Sequence, residues 1–201
     1  MAALFLLRNP DDLDEVFKLD AALTDEDFDV ELPADRTRVD VDLPRLRQMR
    51  KGTFGRAVAD FFDANGLDPK SIPKLEAMDD REWVRAHLYE THDLWHVALG
   101  FGTDVPEELG LQAVYAAQLP GKLAPILIAG GLLRAALWRQ REFSACLAAV
   151  SRGHAIGKAC VPLVGVPWRD MWQLSTEEVR RRLGMPAGTP APEPPLDPVA
   201  A

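Results

Sequence analysis

His92-Asp93-Leu94-Trp95-His96, with Glu108 twelve residues further on, is the stretch that decides how this chain is read. A helix turns about 100° per residue, so histidines four apart lie about 40° apart on one face. Asp93 stands about 100° from His92 on the same helix, and the three side chains share one arc. Imidazole nitrogen together with carboxylate oxygen suits zinc, iron or manganese better than calcium or magnesium, which prefer all-oxygen shells. The spacing therefore predicts a helix that carries most of a metal site. Glu82, Arg85 and Tyr89 fall on the same stripe and are candidates to orient metal-bound imidazoles. A polar stripe is also what a solvated helix face looks like. Yet two of the chain's four histidines (His87, His92, His96, His154) fall at i,i+4 beside an aspartate.

Gly100-Phe101-Gly102-Thr103-Asp104-Val105-Pro106 reads as a helix stop, a short loop and a new start. Thr103 or Asp104 is the expected cap, with Pro106 in the first turn. Consecutive helices joined by a short loop pack antiparallel, which predicts Glu108 near His96. The metalloprotease signature has Glu after the first His as general base. Here the residue is the shorter Asp93, which would bind the metal, hold a ligand, or act as the base.

Composition sets limits. The chain has 201 residues, 47% hydrophobic, and a net charge of −8 with its charges interspersed, so no general basic surface is offered to nucleic acid. Cys146 and Cys160 lack the close pairing of a thiolate metal site and read as buried small apolar residues in a reducing compartment. The longest apolar run, residues 123–133, is shorter than the roughly 20 residues a membrane span needs and is expected as a buried helix. The short apolar start lacks a basic leader, so the expectation is a cytoplasmic protein.

The rest of the chain predicts an all-α, single-domain, multi-helix fold over 1–185, with the metal site between two consecutive antiparallel helices. Asn9-Pro10-Asp11-Asp12 opens a first helix, and residues 28–44, with their Val39-Asp40-Val41-Asp42 alternation, read as an extended connection. Phe54, Ala57, Val58, Phe61 and Phe62 repeat on one face of a helix that ends at Asn65-Gly66. Further helices follow from Asp79 or Asp80, from Glu108, around 122–138 and from about 139. Gly153 and Gly157 mark either close packing or a functional approach to backbone. Val161 to Trp168 is broken by prolines and glycine, and Ser175-Thr176-Glu177-Glu178 opens a last helix. Residues 186–201, with six prolines, read as a disordered tail.

Taken together, these residues resemble the coenzyme Q (ubiquinone) biosynthesis protein 4 family. His92-Asp93-Leu94-Trp95-His96 and Glu108 fit its HDxxH-x11-E motif. Gly52-Thr53-Phe54-Gly55-Arg56, Asn65-Gly66-Leu67-Asp68-Pro69 and Leu163-Val164-Gly165-Val166-Pro167-Trp168, running into Val179-Arg180 and Leu183-Gly184, are similar as well. The resemblance implies a helical protein whose metal, described as zinc, is held by His92, Asp93, His96 and Glu108. It implies action on a polyprenylated hydroxybenzoate-type precursor, by decarboxylation and hydroxylation of the ring carbon that bears the carboxylate. The alternative it implies is a non-catalytic scaffold that binds an isoprenoid lipid and organises other ubiquinone-biosynthesis proteins around a structural metal. Peripheral membrane contact follows from the resemblance, and a homodimer is compatible with it. Helix 122–138, with Gly130-Gly131, would be one wall of a lipid groove. A third reading, a metal-dependent hydrolase, would need further ligands from distant helices, for which His154 is the plausible other histidine.

Overall fold

The computed structural model describes residues 32–34, 36–71, 74–77 and 79–186. The helix expected from Asn9 and all of the Pro-rich tail beyond Pro186 lie outside these residues. Regular structure among the described residues is helical: α1 (Leu43–Arg47), α2 (Phe54–Ala64), α3 (Asp80–Leu99), α4 (Val105–Gln118), α5 (Leu123–Trp138), α6 (Gln140–Ala159) and α7 (Thr176–Arg182), with 3-10 turns at Pro69–Ser71 and Trp168–Met171. The all-α expectation is met. One antiparallel bridge, Thr53 to Ser175, is the strand-like pairing among them. The Val-Asp segment has no regular structure as far as Asp42, and the connection does not continue to residue 44. Asp42 accepts from the Arg45 N–H and Pro44 sits in the first turn, so the chain turns into α1 there.

The chain divides into two compact units. The first holds described residues up to Gly100 and from Cys160 on. In α2, Thr53 caps the helix through the Arg56 N–H. The amides of Phe54 and Gly55, which the helix itself leaves without acceptors, donate to Leu174 O at 2.7 Å and Trp172 O at 3.0 Å. Phe54 stacks on Trp172 at 5.7 Å and on Trp168 at 5.9 Å.

α3 starts on Asp79, which accepts from the Glu82 N–H at 2.8 Å. It stops at Gly100, whose φ of 77° is the left-handed conformation that glycine adopts without strain. The Gly100 N–H donates to His96 O at 2.9 Å, and Arg180 Nε to Ala98 O at 2.9 Å, which satisfies carbonyls of the last turn. Arg38 holds Glu90 with two hydrogen bonds, at 2.8 and 2.6 Å, and donates to Leu75 O. This ties the extended 36–39 segment to α3. Every residue from Thr91 to Leu99 is buried, so this half of α3 has no solvent face.

The second unit holds residues 101–159. Asp104 caps α4 through the Glu107 N–H at 3.0 Å, with Pro106 in its first turn, as the sequence predicts. α4 and α6 meet backbone to backbone. A Cβ on Gly153 would overlap the carbonyl oxygen of Gly110, and one on Gly157 would lie 2.7 Å from the Ala117 Cβ. Close packing accounts for both glycines. Leu109, Ala135 and Cys146 form the core here.

The expectation that the apolar run is a buried helix is not met. In α5 only Gly131 and Ala135 are buried, while Ile126, Leu133, Leu137 and Trp138 are exposed, Trp138 by 71%. The reason is the contact itself: α5 is seated through small residues, with Gly131 against the Leu109 side chain. A narrow stripe of that kind leaves the large side chains outside. Among the described residues no helix is long and apolar enough to cross a membrane.

Candidate metal centre

His92, Asp93 and His96 project from the middle of α3, and a ligating atom of each lies within 4.8 Å of the others. Helical spacing alone brings the two imidazoles together. Their Nε2 atoms are 3.1 Å apart, and the rings meet edge to face, with centroids at 4.8 Å and planes at 82°. Phe61 of α2 stacks on His96 at 5.6 Å and 24°, which holds that ring flat against an apolar surface.

Burial decides the charge state. All three side chains are at most 5% exposed. Burial holds His92 well below the usual imidazole range, so it is neutral with a lone pair to give. Burial pushes Asp93 up to about 6. Its Oδ2 is buried and accepts no hydrogen bond among the described residues. A buried carboxylate oxygen without a donor is costly, and a divalent cation is one of the few groups that removes the cost. Two imidazoles and that oxygen fit a zinc, iron or manganese ion in donor type.

Glu108 belongs to the second unit, where it is buried on the first turn of α4. Glu82 is exposed, and Arg85 and Tyr89 are half-buried. His154 is exposed on α6. Sequence reasoning missed His87. It is buried on α3, stacked on Trp83 at 4.8 Å, and its Nε2 accepts the Gly165 N–H at 3.2 Å. Trp83 in turn donates to Arg36 O at 2.8 Å. The family-like segment around Gly165 is thus tied to the helix that carries His92, Asp93 and His96. The one signal available was a histidine five residues before His92.

A family model described as coenzyme Q (ubiquinone) biosynthesis protein Coq4 matches residues 34–188. The chain is 28% identical over 156 residues to the mitochondrial ubiquinone biosynthesis protein COQ4 of Coprinopsis cinerea, covering 75% of this chain and 53% of that protein. With the mitochondrial COQ4 homolog of Xenopus laevis it is 29% identical over 156 residues, 76% and 53% of the two chains. It thus spans about half the length of these curated relatives. The crystal structure of a candidate ubiquinone biosynthesis protein from Nostoc punctiforme PCC 73102 superposes with a TM-score of 0.66 at 27% identity, covering 91% of this chain and 80% of that one.

Proposed function

Because the chain belongs to the coenzyme Q (ubiquinone) biosynthesis protein Coq4 family, we propose that it acts in ubiquinone biosynthesis on a polyprenylated hydroxybenzoate-type precursor, as a metal-dependent enzyme that replaces the ring carboxylate by a hydroxyl. The observation that carries this reading is the buried His92-Asp93-His96 group, with a carboxylate oxygen that lacks a hydrogen-bond donor. His92, Asp93 and His96 are the proposed ligands. Glu108 joins them from its place in the HDxxH-x11-E motif and its burial.

A bound zinc would supply Lewis acidity toward the ring carboxylate or a neighbouring hydroxyl, and iron or manganese would add a redox couple for dioxygen. The protein's own contribution is a dry site and fixed ligands. The neutral His92 imidazole keeps its lone pair available, and Phe61 restrains His96. With a pKa lifted to about 6, Asp93 is either a ligand or a general base working near neutral pH. As dioxygen chemistry, the ring carbon loses carbon dioxide and gains one oxygen atom. The other oxygen leaves as water, with two electrons and two protons from an external reductant. The test is to incubate purified protein, reloaded separately with zinc, iron and manganese, with a polyprenyl-hydroxybenzoate, dioxygen and a reductant. Release of carbon dioxide with formation of the phenol supports the enzyme; no turnover with any metal sinks it.

A second reading, a lipid-binding scaffold with a structural metal, is favoured by one observation. Around the exposed Ile126, Leu133, Leu137 and Trp138, the stretch 122–141 carries Lys122, Arg134, Arg139 and Arg141 and no acidic residue, in a chain of net charge −8. An apolar face rimmed by cations suits an isoprenoid tail with an anionic head, or an anionic membrane surface. Glu108→Ala separates the readings: lost melting temperature marks a structural metal, whereas lost turnover in a folded protein marks a catalytic one.

A further inference from the structure

The first turn of α4 is held from three sides within its own unit. Arg152 Nη2 of α6 pairs with Glu107 Oε2 at 2.5 Å. The Arg152 guanidinium also lies over the Phe101 ring, 4.7 Å from its centroid, and Phe101 is fully buried. The Gly102 N–H donates to the same Glu107 oxygen at 3.3 Å, and the Glu107 N–H donates to the capping Asp104. Gly110 lies against the edge of the Phe101 ring, where a Cβ would be 2.6 Å from it. One residue along from Arg152, Gly153 brings the α6 backbone onto Gly110. The loop before α4, its first turn and α6 are thereby locked in one register, and Glu108 sits inside that turn.

From this geometry we infer that Arg152 is a positioning residue for Glu108, acting through Glu107 and Phe101. The inference rests on the reading of Glu108 as a metal ligand. Glu107 and Arg152 are largely buried, with side chains 19% and 33% exposed, so their pairing is less screened than a surface bridge. A planar guanidinium can pair with a carboxylate and cover an aromatic face together, which an ammonium or a neutral side chain does not do in the same way. Groups that orient metal ligands from behind typically alter metal affinity by about 10–100-fold when removed.

The experiment is a cobalt(II) titration of the full chain, read by visible absorption and by affinity, for the parent, Glu108→Gln, Arg152→Met, Arg152→Lys, Glu107→Gln and the Arg152→Met/Glu108→Gln double variant. Arg152→Met is expected to weaken cobalt binding by about 10–100-fold and to change the cobalt spectrum. Arg152→Lys should recover part of the loss. The double variant should bind no more weakly than Glu108→Gln alone, because the arginine acts only through that ligand. If Arg152→Met does not fold, Glu107→Gln breaks the same pair from the other side and is expected to give the same loss. Loss on Glu108→Gln with unchanged binding in Arg152→Met and Glu107→Gln overturns the positioning role and leaves the ligand reading standing. So does a fully additive double variant. Unchanged binding in Glu108→Gln overturns the ligand reading, and the positioning role goes with it.

Discussion

The Nε2 atoms of His92 and His96 face each other at 3.1 Å across perpendicular rings, deep in the protein. In the metal-free protein one of them must carry the proton the other accepts; a bound cation would take the place of that proton. Purified protein is therefore expected to hold about one zinc, iron or manganese ion per chain, and His92→Ala or His96→Ala to lose it. Metal analysis by plasma mass spectrometry checks this. Full metal content in both variants sinks the site.

Asp93→Asn should act in opposite directions with and without metal. At pH 8, above its pKa of about 6, Asp93 of the metal-free parent carries an ionised carboxylate, and the rise from the ordinary value shows that burial disfavours that charge. Removing that charge is expected to stabilise the metal-free protein by about 1–3 kcal/mol. In the metal-loaded protein the same change would remove a proposed ligand, so the order is expected to reverse. Melting curves in chelator and in excess metal read both signs.

His87 predicts an acid limb of stability. Burial, with the charge of Arg38 added, lowers its pKa from 6.5 to about 4. Between these values the unfolded chain binds a proton that the folded chain does not, so stability is full above about pH 6.5 and is lost as pH falls toward 4. The shift corresponds to about 3 kcal/mol. His87→Gln should flatten this limb, seen as a smaller difference between urea midpoints at pH 7 and pH 4.5. An unchanged pH dependence would remove His87 from the account.

Two glycines should answer alanine oppositely. Gly153→Ala places a methyl on the Gly110 carbonyl and is expected to cost about 1–3 kcal/mol or more. Gly130, in the middle of α5, has open space where its Cβ would be, so Gly130→Ala is expected to add about 0.5–1 kcal/mol. Thermal unfolding of the pair tests the packing of α4 on α6 directly, since a helix-propensity effect alone would stabilise both.

The exposed face of α5 should bind anionic vesicles. Sedimentation with phosphatidylglycerol vesicles is expected to fall about 10-fold or more in Leu137→Ser/Trp138→Ser, given roughly 1.5–3 kcal/mol per buried large apolar side chain. Rising salt should weaken binding through Arg134, Arg139 and Arg141. Equal binding to neutral and anionic vesicles would argue against the charge contribution.

How far these features are legible in sequence depends on how local their cause is. The convergence of His92 and His96 needs only a helix, so spacing carries it. The start of α4 needs only Asp104 and Pro106. The bond between His87 and Gly165 spans 78 positions and leaves no periodic trace. The exposure of α5 is hidden for another reason. Apolar content states that a surface seeks cover, and does not state whether a neighbouring helix provides it. Glu107 and Arg152 are likewise 45 apart, and their pairing appears only once α6 lies along α4.

The buried half of α3 also has a kinetic meaning. Backbone amides from Thr91 to Leu99 sit where no face meets water, so they should exchange with deuterium only when the whole surrounding unit opens. An ion held by His92, Asp93 and His96 would then be released no faster than side chains can swing away from it, and its residence time would become a clock for the integrity of the fold.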